Sequence, residues 1–192
     1  TNADLTVTGS LDVNGDLLIS AGKNINTGTI SVAGNITSSD TAVAGTSAIT
    51  LDGTGAQTIN TTGAGDLPNV TLTINKSSGT ATLLYNLSLN SAGQDLSITQ
   101  GTLDLDGFNL VLTAAGDVLT VDTNGTLQLH GAETVTASTL TLNSGSTVIY
   151  TGDGDALADT YTLTTLASAY HHLTVNSADG ATDTFDLGAA LQ

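Results

Sequence analysis

The stretch DLSITQGTLDLDGFNLVLTAAGDVLTVDTNGTLQLHG, residues 95–131, decides the fold. It sets Leu, Val and Ile in alternation against Thr, Ser, Asp and Gln, as in Leu103-Asp104-Leu105, Leu119-Thr120-Val121 and Leu127-Gln128-Leu129. A period of two is the signature of a strand with one apolar and one wet face. Gly, Asn or Asp closes each run. Asp106-Gly107 and Asn124-Gly125 supply the positive φ that tight corners need.

Reading outward, this stretch has a counterpart near the start of the chain. Asp4-Leu5-Thr6-Val7 matches Asp95-Leu96-Ser97-Ile98, and Leu11-Asp12-Val13-Asn14-Gly15 matches Leu103-Asp104-Leu105-Asp106-Gly107. Further on, Thr29-Ile30-Ser31-Val32 matches Thr126-Leu127-Gln128-Leu129, and Leu72-Thr73-Ile74-Asn75 matches Leu173-Thr174-Val175-Asn176. The offset grows from 91 (Asp4 to Asp95) to 101 (Leu72 to Leu173), as small loop insertions would produce. The segment from Phe185 to Gln192 corresponds to that around Leu83 to Asn90, so the end of the sequence leads in phase towards another copy of its beginning. These matches predict one continuous solenoid over 1–192, built from two out-of-phase repeats of about 100 residues, approximately 4–94 and 95–192.

A shorter period runs inside each repeat. Leu11, Ile30 and Ile49 follow at steps of 19 residues, and Leu103, Leu127 and Val148 at steps of 24 and 21. Coils of about 19–24 residues, each with two or three short strands, are those of a parallel β-helix (a β-solenoid), expected to be right-handed. The alternation places Leu11, Val13, Ile30, Val32, Ile49 and Leu51 inside, and Ser10, Asp12, Thr29, Ser31 and Thr50 outside. The rival all-β reading is two tandem Ig-like β-sandwiches, which the long repeat would fit. The short coil period and the absence of Trp and Cys speak against it.

Composition narrows function. The formal charge is −16, with two lysines, Lys23 and Lys76, and no Arg. Nucleic acid and anionic membrane both need clustered cations, so neither is expected as a partner. The sequence shows no signal peptide and no membrane span. With no Cys there is no disulfide and no thiolate metal site.

The phrases Leu72-Thr73-Ile74-Asn75, Gly101 to Leu110 (GTLDLDGFNL) and Tyr170-His171-His172-Leu173-Thr174-Val175-Asn176 resemble the β-strand repeats and haemagglutinin-type repeats of exported bacterial adhesins and filamentous surface proteins. The resemblance covers nearly the whole chain. It implies a parallel β-solenoid, an extracellular or cell-surface location and a structural role. It carries over no catalytic residues.

Candidate chemistry is sparse. Asp153, Asp155 and Asp159 offer closely spaced hard oxygens suited to calcium, the one cofactor the sequence suggests. His171 and His172 are adjacent, so strand alternation would send them to opposite faces. Asp104 and Asp106 could mimic a glycosidase pair, but no enzyme is expected. Thr recurs in short runs, yet the runs slip in phase and give no fixed place per coil, which disfavours an ice-binding face. The expected function is an extracellular structural rod or self-assembled filament, partnered end to end by other copies of itself or by further repeats of the same chain. The alternative is an adhesin stalk that binds a glycan or receptor, with residues 151–170 as its surface.

Overall fold

The computed structural model describes residues 4–41, 45–62, 66–163, 166, 169–177 and 183–186. The chain is all-β and winds as a parallel β-solenoid of about seven turns. β1 (Leu5–Thr6), β2 (Ser10–Val13) and β3 (Leu17–Ile19) form the first coil, and β4 (Ile25–Asn26), β5 (Thr29–Val32) and β6 (Ile36–Ser38) the second. β7 (Ala48–Leu51) and β8 (Gln57–Asn60) belong to the third. Two faces then merge into strands that turn a corner midway, β9 (Leu72–Leu83), β11 (Leu96–Asp104) and β13 (Val118–Leu129), separated by β10 (Leu87–Ser88) and β12 (Leu110–Leu112). β14 (Val135–Ala137), β15 (Thr139–Leu142), β16 (Thr147–Tyr150), β17 (Thr160–Thr162), β18 (His172–Val175) and β19 (Thr184–Asp186) follow.

Every strand pair among the described residues is parallel, which rules out the antiparallel sandwiches. The first face stacks β2, β5, β7, β9, β11, β13 and β15. The second stacks β3, β6, β8, the later halves of β9, β11 and β13, then β16 and β18. On the third face, β1 pairs with β4, β10 with β12 and β12 with β14, and β17 with β19. The register column Leu11, Ile30, Ile49, Leu72, Leu96, Leu119, Leu140 climbs the first face in steps of 19 to 24 residues.

Alternation sets the core as the sequence implies. Ile30, Val32, Ile49 and Leu51 are buried, and so are Leu103, Leu105, Leu127 and Leu129. Each fully buried Leu or Ile side chain contributes about 1.5–3 kcal/mol relative to exposure. Leu11 departs from the pattern. It stays 37% exposed because, among the described residues, its coil stacks on one side only. Corners are stapled by side chains where the backbone ladder turns away. Asp16 Oδ1 accepts the Asn35 N–H at 2.7 Å, and Asn35 Oδ1 accepts the Thr58 N–H at 2.8 Å. Asn86, Asn109 and Thr134 repeat the device on later coils.

One buried charged side chain, the cation Lys76, lies among backbone carbonyls. Lys76 is buried, and its ammonium donates to Gly53 O (2.5 Å), Gly55 O (2.9 Å) and Gln57 Oε1 (2.5 Å). The Gln57 amide in turn donates to Val32 O (2.9 Å) and to Gly34 O. Three donors meet three acceptors, so the buried ammonium is fully hydrogen-bonded although no carboxylate touches it. Burial pushes its pKa below the ordinary lysine value.

The long repeat has an unexpected geometry. Asp4–Val7 runs through β1 on the third face, whereas its counterpart Leu96–Ile98 lies on the first. Leu11 and Val13 lie on the first face, and Leu103 on the second. Leu72 and Ile74 lie on the first, Leu173 and Val175 on the second. Each matched segment has moved forward by one face.

Candidate functional site

Asp153, Asp155 and Asp159 lie in the loop between β16 and β17. Gly152 and Gly154 take positive φ there, as does Ala156 (φ 66°). The segment forms no helical turn, because its polar groups bond locally: the Asp155 N–H donates to Asp153 Oδ1 at 3.3 Å and the Leu157 N–H to Asp155 Oδ1 at 2.8 Å. A carboxylate oxygen from each of the three aspartates lies within 4.8 Å of the others. Asp153 and Asp155 are exposed and Asp159 is half-buried. The arrangement offers three hard donors on one side of a loop. The loop is anchored by the Asp153 N–H on the Tyr161 hydroxyl (3.0 Å) and the Asp159 N–H on Asp183 Oδ1 (3.2 Å). Burial raises the Tyr161 hydroxyl to about 12, so it stays protonated as an anchor.

The histidines differ from expectation. His171 precedes β18, so strand alternation does not govern it. Both His171 and His172 are exposed, and their rings meet edge to face with centroids 4.5 Å apart. His171 Nε2 also meets Ser144 Oγ at 3.1 Å.

Asp104 and Asp106 sit where the second face turns into the third. The Asp106 N–H donates to Asp104 Oδ1 (3.0 Å), and Gln128 Nε2 donates to Asp104 Oδ2 (2.7 Å). Burial raises the Asp104 pKa above the ordinary carboxylate value. Asp106 takes φ 49° and Gly107 φ 80°, and the Phe108 N–H closes the turn on Leu105 O at 2.8 Å. The next coil packs against this turn, with His130 Nε2 3.5 Å from Asp106 Oδ1. Glu133, which composition alone passes over as the single Glu, is buried here. It accepts the N–H groups of Gly107 (3.1 Å), His130 (2.6 Å) and Gly131 (2.7 Å), tying two successive corners together.

Ser and Thr line up in register over several coils, although neither column holds Thr on every coil, as the sequence implies: the first begins at Asp12 and the second ends at His172. Ser31, Thr50, Thr73, Ser97, Thr120 and Thr141 form one register column on the first face. Thr80, Thr102, Thr126 and Thr147 form another on the second. The phase slip in sequence disappears in space because coil lengths vary while the ladder register is kept. Neighbouring strands bring these positions about 4.8 Å apart.

No family model, no curated protein and no solved structure matches the chain. No described helix is long and apolar enough to cross a membrane.

Proposed function

We propose that the chain is a structural segment of an extracellular, cell-surface protein, a solenoid rod that stacks head to tail on further coils of its own kind. The observation that carries this is the state of the ladder's two ends. Among the described residues, β2 and β3 on the first and second faces pair with a strand on one side only, and β18 does the same at the opposite end. Apolar side chains that interior coils would bury remain open there: Leu5 (45%) and Leu11 (37%) at one end, Leu173 (38%) and Val175 (46%) at the other. An open edge with exposed apolar rungs is a template for another strand. A head-to-tail contact that does not close on itself propagates as a fibre. The extracellular assignment draws on the resemblance to surface-protein repeats and on a cysteine-free, acidic composition.

Negative-stain electron microscopy of the purified chain tests the reading. Fibres many times longer than one chain are expected, and Val175→Lys or Leu11→Lys should shorten them to single rods while leaving the far-UV circular dichroism intact. Single-chain particles at every concentration would rule out self-stacking. Rods of one fixed length would favour an adhesin stalk.

A further inference from the structure

The corner between the second and third faces, across the fourth to sixth coils, carries a group of side chains that neither the rod nor the acidic loop uses. The chain has six aromatic residues, and two of them meet here. Tyr85 and Phe108, on successive coils, have ring centroids 6.1 Å apart and a tilt of 35°. Phe108 is half-buried, whereas Tyr85 is 44% exposed and has exposed Leu84 beside it. Asp106 and Gly107 lie on the same tight turn as Phe108, and the next coil sets His130 over it. Gly107 takes φ 80°, and the His130 ring lies in van der Waals reach of it, with a Cβ there 3.4 Å from His130 Nδ1. The Asp106 side chain is 46% exposed and that of His130 18%.

Two physical points make this more than a surface irregularity. Other corners in this solenoid are built mostly from small or polar residues such as Ser20-Ala21-Gly22 and Thr113-Ala114-Ala115-Gly116, and an exposed aromatic ring gains little stability at such a place. The polar groups are also held stiff, because Glu133 fixes the N–H groups of both corners and Asp106 is held in a left-handed backbone conformation that non-glycine residues seldom adopt. An apolar ring face beside a fixed carboxylate and an imidazole matches a pyranose. The C–H face of such a sugar packs on an aromatic ring while its hydroxyls donate to the exposed Asp106 carboxylate, which His130 Nε2 steadies from 3.5 Å. Asp104 and Asp106, on a chain of net charge −16, oppose uronic acids and sulfated sugars. The site is a ridge along the corner rather than a pocket, so it suits the middle of a polymer chain more than a free monosaccharide.

We propose that Tyr85, Phe108, Asp106 and His130 form a binding ridge for a non-anionic polysaccharide. This does not depend on end-to-end assembly, and it moves glycan recognition from residues 151–170 to the preceding corners.

Affinity electrophoresis in native gels containing soluble xylan, mixed-linkage β-glucan, galactomannan or polygalacturonate tests it. At least one of the three non-anionic polymers should retard the protein, and polygalacturonate should not. Tyr85→Ala and His130→Ala should each weaken retardation by about tenfold, the effect of losing one ring contact or the group that steadies the Asp106 carboxylate, whereas Tyr85→Phe should stay within about threefold. Tyr85 is exposed enough that its variants keep the fold, which circular dichroism would verify. No retardation by any neutral polymer, unchanged retardation in Tyr85→Ala, or retardation by polygalacturonate would each overturn the proposal.

Discussion

Replacing Lys76 with Met asks whether the buried ammonium holds the early coils together. Met keeps the length and apolar stem of lysine but offers no donor. The substitution leaves Gly53 O, Gly55 O and Gln57 Oε1 facing one another without the proton donor they share. Each orphaned buried acceptor costs about 1–3 kcal/mol. Against that, Met removes the expense of keeping a lone ammonium out of water, several kcal/mol per ion. Gly53 O and Gln57 Oε1 are orphaned inside, whereas exposed Gly55 can turn its carbonyl to water; with one ion relieved, the net expectation is a loss of about 3 kcal/mol, because removing one partner of a buried polar network destabilises more than replacing both. For a chain of this size that lowers the melting temperature by roughly 6–12 °C.

Thermal melts followed by far-UV circular dichroism suit a protein without Trp. The pH dependence adds a second signature. The folded pKa of Lys76 lies below its unfolded value, so between the two the unfolded chain binds more protons. The stability of the wild type should therefore rise with pH as pH climbs from the lowered folded pKa towards the unfolded value near 10.5, and fall again as pH drops back through that window. The Met variant should lose this dependence. A Met variant as stable as the wild type or more so would refute the reasoning. It would mean that the three oxygens find water or each other's neighbours, and that the ammonium is only a burden.

If the acidic loop takes calcium, saturating it to one hundred times its Kd should add about 2.7 kcal/mol to stability. Melting temperatures with calcium and with EDTA should then separate, and Asp153→Asn with Asp155→Asn should bring them together; no separation in the wild type would remove calcium from the account. The Ser/Thr columns should not bind ice, because a crystal plane demands order in two directions and the neighbouring position on the same strands holds Thr29 beside Ala48 and Val118 beside Thr139. Partition of the protein into a slowly growing ice hemisphere would contradict that.

The coil period and the inward positions were legible because period-two alternation and Gly, Asn or Asp corners act locally, within a few residues of each strand. Ile30, Val32, Ile49 and Leu51 follow from that alone. Contacts between coils were not legible to the same degree. Lys76 occupies an alternation slot that points inward, but its partners are carbonyl groups 19 to 23 residues away, which no side-chain pattern announces. The Ser31-to-Thr141 column was hidden for the same reason, since coils of unequal length scramble its spacing in sequence. The approach of three carboxylates at residues 153–159 was readable because all three lie on one loop. The Tyr85–Phe108 pair was not, because its members sit on different coils.

The one-face shift between segments matched in sequence limits what such segments can have in common. A matched segment lands on a different face, against different neighbours, so only face-independent properties are common to both copies: apolar residues inward and turn residues at corners. Leu103-Asp104-Leu105-Asp106-Gly107 shows this directly. Its counterpart Leu11-Asp12-Val13-Asn14-Gly15 keeps the alternation and the glycine, but it lies on the first face and runs into Asp16 where the later copy runs into Phe108. The corner at Asn14 and Gly15 thus has the acceptors of a solenoid turn without the aromatic pair or the histidine. The later corner has both. That difference, rather than anything in the repeated pattern, sets the corner of Tyr85, Phe108 and His130 apart from its counterpart.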